Sequence, residues 1–138
     1  MNRSKPIFLV EDNADDEALF VRALAKKGIK NEIVIARDGV EALERLYGSE
    51  PISPSVIFLD LKIPKIDGLQ ILERVRADAR TATFPVVILT SSDEPGDVAR
   101  AYALGVNSYV RKPIEFAQFS ETVGDLGAYW LFINELPS

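Results

Sequence analysis

Polar side chains follow four short apolar runs of this 138-residue sequence. They are Glu11 and Asp12, Asp60, Thr90 and Ser91, and Arg111 and Lys112. Taken singly, each has an ordinary explanation as a helix cap, a turn residue or a solvated strand end. Taken together, they offer carboxylates, hydroxyls and an ammonium group. That combination suits the binding of a divalent cation and the stabilisation of a phosphoryl group.

The carboxylates are candidates for a metal site. Crowded carboxylates repel one another and raise the pKa of at least one member, and a divalent cation removes that penalty. Because the sequence has no histidine and no cysteine, the ligands are all oxygens, and Mg²⁺ fits better than zinc or copper. The expected ligands, direct or through water, are Glu11, Asp12, Asp60 and the backbone carbonyl of Lys62.

Asp60 could also be the nucleophile that receives a phosphoryl group. Mg²⁺ would then screen the incoming charge, Thr90 would donate a hydrogen bond, and Lys112 would pair with another phosphoryl oxygen. A phosphohistidine cannot form on a chain without histidine. The phosphoryl donor therefore has to be another molecule.

Five apolar runs rich in β-branched residues alternate with segments of helical period, which predicts five buried parallel strands joined by helices. The runs are 7–10, 33–35, 56–59, 86–89 and 108–110. The predicted apolar helix faces include Val40/Leu43/Tyr47 and Val98/Ala101/Tyr102/Gly105. We expect a doubly wound α/β domain with helices on both faces of the sheet. Ligands of such a sheet bind beyond the carboxyl ends of the strands, where the polar residues lie.

Composition narrows the functional classes. A hydrophobic content of 47% is enough for one core, so we expect a single domain over residues 1–138, with its core at about 6–126 and a helical extension at about 127–138. A net charge of −5 argues against nucleic acid as a partner. No apolar run approaches the roughly 20 residues that cross a bilayer. We therefore expect a soluble, cytoplasmic protein that does not contact membranes.

Five motifs resemble the receiver domains of bacterial response regulators, and the likeness extends from Ile7 to Leu126. The motifs are Phe8 to Asn13, Phe58 to Leu61, Pro64 to Gly68, Leu89 to Ser91, and Ala103 through Tyr109 to Pro113. The resemblance implies a flavodoxin-like parallel sheet with the strand order 2-1-3-4-5. It also implies a switch in two-component signalling, whose partner is a histidine kinase, and not an enzyme.

The same resemblance implies roles for single residues. Asp60 would accept the phosphoryl group, and Thr90 and Tyr109 would form a switch pair. Phosphorylation would draw the Thr90 hydroxyl inward, and the Tyr109 ring would fill the space that it vacates. The peptide bond between Lys112 and Pro113 would be cis.

The similarity is strongest with a narrower group, the single-domain response regulators of phytochrome-type histidine kinases. It is carried by residues 10–16, 37–43 and 59–65 and by Tyr129 to Leu131. One departure is Lys62, which stands where this group often has asparagine. Its side chain could be solvated, with the carbonyl still serving the metal. Alternatively, its ammonium could lean over the phosphoryl group and obstruct attacking water, which would prolong the phosphorylated state.

The last helical segment carries more apolar residues than one face can hold. A first stripe consists of Phe116, Phe119, Val123, Leu126, Trp130 and Ile133. We expect this stripe in the core. A second set consists of Tyr129, Phe132 and Leu136. Because exposed apolar patches mark partner surfaces, we expect a homodimer formed by the fourth and fifth units and the tail.

Other classes of protein fit the residues less well. A haloacid-dehalogenase-type phosphatase also uses an aspartate, Mg²⁺, a hydroxyl and a lysine, but it needs an acid two residues after the nucleophile, where Lys62 stands. A receiver-fold interaction module without phosphorylation is expected to lose some of the site residues, and all are present. A nucleotide or flavin binder needs glycines in the first βα turn, which is acidic in this chain.

Overall fold

The computed structural model describes residues 5–92, 94–112 and 115–135, in which five strands and five α-helices alternate. The strands are β1 (Ile7–Val10), β2 (Ile33–Ala36), β3 (Val56–Leu59), β4 (Val86–Thr90) and β5 (Ser108–Arg111). The helices are α1 (Ala14–Lys26), α2 (Gly39–Tyr47), α3 (Gly68–Ala77), α4 (Pro95–Ala103) and α5 (Phe116–Ala128), and α5 continues into a π-helical segment, Tyr129–Ile133. None of these helices is both long and apolar enough to span a membrane.

The strands form one parallel sheet in the order β2-β1-β3-β4-β5. This confirms the predicted doubly wound, flavodoxin-like fold. In the pairing of β1 with β3, Val10 lies beside Leu59. Glu11 and Asp60, which follow these two residues, therefore leave the sheet at the same edge.

Alternate residues along each strand supply two cores, one on each face of the sheet. On one face, Phe8 and Val10 of β1 belong to a cluster completed by α2, α3 and α4. On the other face, Ile7 and Leu9 belong to a cluster with Phe20 of α1, which is completed by α5 and the π-helical segment. The two cores hold the sheet from both sides and fix the positions of its strand ends.

Two predicted helix faces are wrong in part. The buried positions are Ala42 and Leu46 in α2 and Ala101 in α4. The sequence pattern places Val40, Val98 and Tyr102 inside, but they are 52%, 39% and 53% exposed. In α4 only the small Ala101 side chain is buried, and its larger neighbours lie at the margin of the core. Gly105 lies beyond the end of α4, with a φ of +93°.

The apolar stripe predicted for the last helix is confirmed in its middle and wrong at its ends. Phe119 and Val123 are buried, whereas Phe116 is 53% and Ile133 is 69% exposed. At the C-terminal end the reason is the π-helical segment, because its wider turn shifts the side chains relative to the α-helical phase. Leu131 is buried there instead, with an exposed fraction of 2%.

The second apolar set is exposed as predicted where it is described. Tyr129 is 44% and Phe132 is 43% exposed. Leu136 lies outside the described residues. So does Pro113, and with it the predicted cis peptide bond after Lys112.

Candidate functional site

The carboxylate of Asp60 follows β3 directly, and only 6% of the residue is exposed. Its two oxygens have different partners. The Thr90 hydroxyl donates to Oδ1 at 2.8 Å, and the backbone N–H of Lys62 donates to the same oxygen at 3.1 Å. The Lys112 ammonium donates to Oδ2 at 2.9 Å. The structure thus brings together residues that the sequence pattern placed at the ends of the third, fourth and fifth strands.

Lys112 is held by three carboxylates at once. Its ammonium donates to Glu11 Oε1 at 2.5 Å, to Asp16 Oδ2 at 2.8 Å and to Asp60 Oδ2 at 2.9 Å. The Lys112 side chain is only 8% exposed. Burial on its own lowers the pKa of Lys112, but the hydrogen bonds to Asp16, Glu11 and Asp60 outweigh it and raise that pKa. The ammonium is therefore charged across the physiological pH range.

Asp16 was not expected at the site from the sequence. A signal for it was present, because Asn13 is a good helix cap and Asp16 stands three residues later, in the first turn of the helix that Asn13 begins. The backbone N–H of Asp16 donates to the Asn13 side chain at 2.9 Å. This contact fixes the start of α1 and so the place of the Asp16 carboxylate.

Glu11 is buried beside the Lys112 ammonium, with an exposed fraction of 4%. Burial raises the pKa of Glu11 to about 6, although the hydrogen bond from Lys112 acts in the opposite direction. The backbone N–H of Asn13 donates to the second Glu11 oxygen at 3.1 Å. The carboxylate is therefore held from both sides but deprived of water, which is the setting in which an added cation stabilises it most.

The predicted metal ligands form a compact group. Glu11, Asp12 and Asp60 place carboxylate oxygens within 4.8 Å of one another. Glu11 and Asp60 are buried and Asp12 is exposed, so the group is open to solvent on one side. Among the described residues no other cluster of this kind occurs. Three carboxylate oxygens in this arrangement fit a hard divalent cation such as Mg²⁺ or Mn²⁺.

The loop after β3 is tied closely to the backbone of Asp60. A Cβ added to Gly68 would lie 2.5 Å from the Asp60 carbonyl oxygen, so a glycine is required at this position. Asp67 caps α3 and forms a capping box with Gln70. Lys65 has a φ of +72°, a left-handed conformation that is strained for a residue with a side chain.

The side chain of Lys62 points to the loop before α4. Its ammonium lies 3.2 Å from the Glu94 carboxylate, and both side chains are more than half exposed, at 58% and 64%. This ion pair raises the pKa of Lys62. Glu94 was not among the residues singled out in the sequence, and neither interpretation of Lys62 included an ion pair. In this structure the ammonium is engaged at the surface by a carboxylate.

Tyr109 packs against the core on the α4 side, and its hydroxyl is buried without a hydrogen-bond partner within the described structure. Burial and the charge of Asp97 raise the pKa of Tyr109, and the nearby Ser92 hydroxyl acts in the opposite direction. The Ser92 and Tyr109 hydroxyls do not have the geometry of a hydrogen bond. Ser92 is engaged elsewhere. Its hydroxyl donates to Asp97 at 2.6 Å and its N–H donates to the Thr90 hydroxyl oxygen at 3.2 Å. The switch candidates Thr90 and Tyr109 thus both adjoin the loop that contains Ser92.

The fold and this arrangement of residues define a class of protein. Residues 7–124 match the family model described as the response regulator receiver domain. The chain belongs to this family. Its receiver fold and its acidic group at the carboxyl edge agree with that membership.

Individual relatives narrow the comparison. The chain is 40% identical over 134 residues to the "Probable methanogenesis regulatory protein FilR2" of Methanothrix harundinacea, covering 95% of this chain and 86% of that protein. It is 34% identical over 142 residues to the response regulator Rcp1 of Synechocystis, covering 99% and 96% respectively.

Solved structures point to the same group. The phosphorylated cyanobacterial phytochrome response regulator RcpA has a TM-score of 0.92 and 37% identity, with 98% of this chain and 99% of that chain covered. The Mn²⁺-bound form of Rcp1 has a TM-score of 0.91 and 33% identity, with 97% and 99% covered. Single-domain phytochrome response regulators are therefore among the relatives of this chain.

Proposed function

We propose that this protein is a response regulator whose Asp60 receives a phosphoryl group from a histidine kinase. The proposal rests on the hydrogen bonds at the Asp60 carboxylate, where the Thr90 hydroxyl donates to one oxygen and the Lys112 ammonium donates to the other. One Asp60 oxygen would attack phosphorus, and the bond from phosphorus to the kinase imidazole would break. The Thr90 hydroxyl and the Lys112 ammonium would then stabilise the phosphoryl oxygens.

The proposed cofactor is Mg²⁺, held by Glu11, Asp12, Asp60 and the Lys62 carbonyl. When bound, it neutralises part of the charge that gathers as a phosphoryl group approaches three carboxylates. The oxygen donors of the acidic group support this assignment. The Mn²⁺-bound structure of the relative Rcp1 supports it as well, since Mn²⁺ and Mg²⁺ share a preference for oxygen ligands.

Thr90 and Tyr109 are the proposed switch. The Thr90 hydroxyl now bonds to Asp60 and accepts the N–H of Ser92. A phosphoryl group that takes over the Thr90 hydroxyl would move this loop and change the surroundings of the buried Tyr109 hydroxyl. A buried hydroxyl without a hydrogen-bond partner is destabilising. A loop position that gives the Tyr109 hydroxyl a partner would therefore have a lower free energy.

A phytochrome-type kinase is the proposed donor. The relatives RcpA and Rcp1 support it, because RcpA is described as a phytochrome response regulator and both are similar to this chain over nearly their whole lengths. The methanogenesis protein FilR2 belongs to a different pathway by its name. The test is phosphotransfer to Asp60 from a purified phytochrome-type kinase, with an unrelated histidine kinase as the control. Faster transfer from the phytochrome-type kinase would support the pairing, and equal transfer from both kinases would contradict it.

The primary experiment is intact-mass measurement after incubation with acetyl phosphate and Mg²⁺. The wild type should gain one phosphoryl group, and Asp60→Asn and metal-depleted protein should gain none. Asp125→Asn, a change at an exposed carboxylate of α5, is the matched control and should behave as the wild type. An adduct that survives Asp60→Asn would overturn the assignment of the acceptor.

A homodimer through the fourth and fifth units and the tail is also proposed. Tyr102, Tyr129, Phe132 and Ile133 are exposed there, from 43% to 69%, and such apolar area is usually covered by a partner. Phe132→Ser should lower the dimer fraction in sedimentation experiments. Val21→Ser, at an exposed valine of α1, should not. Equal sedimentation of both variants and the wild type would refute this interface.

A further inference from the structure

We infer that Asp16 is a positioning residue for Lys112, which it keeps paired when a divalent cation takes up the oxygens of Glu11 and Asp60. This inference rests on the proposed metal-dependent function and extends it. Asp16 is not one of the predicted ligands, and it does not belong to the acidic group formed by Glu11, Asp12 and Asp60.

The Lys112 ammonium depends on three carboxylates, two of which a cation would take. Lys112 has three N–H donors and uses them on Glu11, Asp16 and Asp60. Two of these three acceptors are candidate metal ligands. A cation that binds them draws their charge toward itself and repels the ammonium. Asp16 is the partner whose charge remains available to Lys112.

Burial makes that remaining partner necessary. The Lys112 side chain is 8% exposed, so water cannot replace a lost carboxylate. A buried charge left without a partner is strongly destabilising. Binding of the cation would therefore carry that penalty if Asp16 were absent. The Asp16 side chain is 29% exposed and can keep its charge at modest cost.

The start of α1 holds Asp16 in place for this role. Asn13 caps the helix and accepts the N–H of Asp16 at 2.9 Å. The carboxylate lies in the first turn, where the helix dipole favours negative charge. Asn13 also donates its own N–H to Glu11 at 3.1 Å. The helix start therefore sets the distance between the ligand Glu11 and the partner Asp16.

The test is the affinity for Mg²⁺ alone, measured by isothermal titration calorimetry. Asp16→Asn should weaken Mg²⁺ binding by about tenfold, the change that corresponds to losing one charge-assisted hydrogen bond. Asp15→Asn is the matched control, because it removes the same charge from an exposed position in the same helical turn. It should change the affinity by less than about twofold. Asp16→Glu should recover most of the loss.

Equal Mg²⁺ affinities of Asp16→Asn and Asp15→Asn would overturn the inference. A second measurement uses the wild type and so does not depend on the folding of a variant. The ammonium resonance of Lys112 in ¹⁵N-resolved spectra should stay visible at saturating Mg²⁺, because Asp16 still holds it. Its loss through rapid exchange with water would also overturn the inference.

These results are separable from those on phosphorylation, since no phosphoryl donor is present. If Asp16→Asn weakens Mg²⁺ binding as expected but the wild type is not phosphorylated, only the proposed function is contradicted. A wild type that is phosphorylated, with Asp16→Asn indistinguishable from Asp15→Asn in Mg²⁺ binding, would contradict the positioning role alone.

Discussion

The carboxyl edge of the sheet and the C-terminal end of the last helix are opposite in character. At the edge, the charged side chains of Glu11, Asp60 and Lys112 are buried and pair with one another, and the Lys112 side chain is 8% exposed and bonded to three carboxylates. At the end of the last helix, apolar groups are exposed, as in Ile133, of which 69% is accessible. Each region inverts the usual rule for its residue types.

The difference indicates what each region is for. Burying charge is costly unless every charge has a partner, so the sheet edge suits a site that exchanges one partner for another. Exposed aromatic and aliphatic side chains are costly until something covers them, so the helix end suits contact with another molecule. These properties agree with the two proposals above, phosphotransfer at the first region and dimer contact at the second. Substitutions of the buried charged residues in the first region should therefore affect stability, and substitutions of the exposed apolar residues in the second should affect association.

The largest expected effect is at Lys112. Lys112→Ala leaves buried carboxylates without their counter-charge and should lower the free energy of unfolding by about 3–5 kcal/mol in metal-free buffer. Lys62→Ala, which removes an exposed ion pair with Glu94, should cost less than about 1 kcal/mol. Urea denaturation measures both. Similar losses in the two variants would mean that the edge is not the charge-dependent region described above.

Next in size is the contrast within the π-helical segment. Trp130 is 7% exposed and belongs to the core beneath α1 and α5, so Trp130→Ala should lower the free energy of unfolding by about 3 kcal/mol. Phe132→Ala, two residues on and 43% exposed, should lower it by only about 1 kcal/mol, because much of the ring is already in contact with water. Thermal unfolding of dilute protein decides this. A large loss for Phe132→Ala would place that ring in the core.

A smaller effect is expected from pH at Glu11, whose pKa rises from 4.5 to about 6 on folding because of burial. For a carboxyl group with a raised pKa, the folded state holds the proton more tightly. The protonated form of Glu11 therefore stabilises the folded state fully below pH 4.5. This stabilisation is lost as the pH rises through about 6 and the buried carboxyl group ionises. At about 1.4 kcal/mol for each pH unit, the loss is roughly 2 kcal/mol.

The measurement is metal-free unfolding at several pH values from about 4 to about 7, for the wild type and Glu11→Gln. Subtracting the two profiles removes the other carboxyl groups. The wild type should lose stability relative to the variant as pH rises. Parallel profiles would contradict the assigned pKa, and addition of Mg²⁺ should flatten the wild-type profile because the cation stabilises the ionised form.

The smallest effect concerns the strained loop beside the site. Lys65 has a φ of +72°, a conformation that glycine adopts without strain. Lys65→Gly should stabilise the protein by about 0.5 kcal/mol. This is the relief of strain minus the extra entropy of an unfolded glycine and minus the small contribution of the exposed ion pair with Asp38. Lys30→Gly, at an exposed loop residue without positive φ, should destabilise it. Equal signs would mean that the loop stores no strain.

The fold and the place of the site could be predicted from the sequence because both depend on local signals. Apolar runs mark strands, and parallel strands bring their ends to one edge, so the order of residue types along the chain is enough to group Glu11, Asp60, Thr90 and Lys112. Their assigned roles stay predictions. The cap at Asn13 predicts that Asp16 lies in the first turn of α1. It does not predict the contact with Lys112, which stands 96 residues away, and Asp16 was therefore missed.

The helix surfaces could be predicted only in part, for a different physical reason. A helical face is predicted by assuming the same rotation per residue along the whole helix. One change in that rotation shifts the predicted positions of all later side chains. The π-helical segment makes such a change after Ala128, which is why Ile133, predicted in the core, is exposed and Leu131 is buried. In α4, Ala101 is buried while Val98 and Tyr102 are exposed, and sequence periodicity does not say how deeply a helix packs against its neighbours.

The reach of Lys112 has a consequence for the synthesis of the protein. Its contacts join residues 101, 96 and 52 positions apart in the chain, and the lysine stands after the last strand. A chain still emerging from the ribosome has the aspartate long before it has the lysine. Until the lysine has been made and β5 has paired with β4, the buried carboxylates of Glu11 and Asp60 lack the ammonium that neutralises them, so the charge balance of this edge is completed only in the last stage of synthesis.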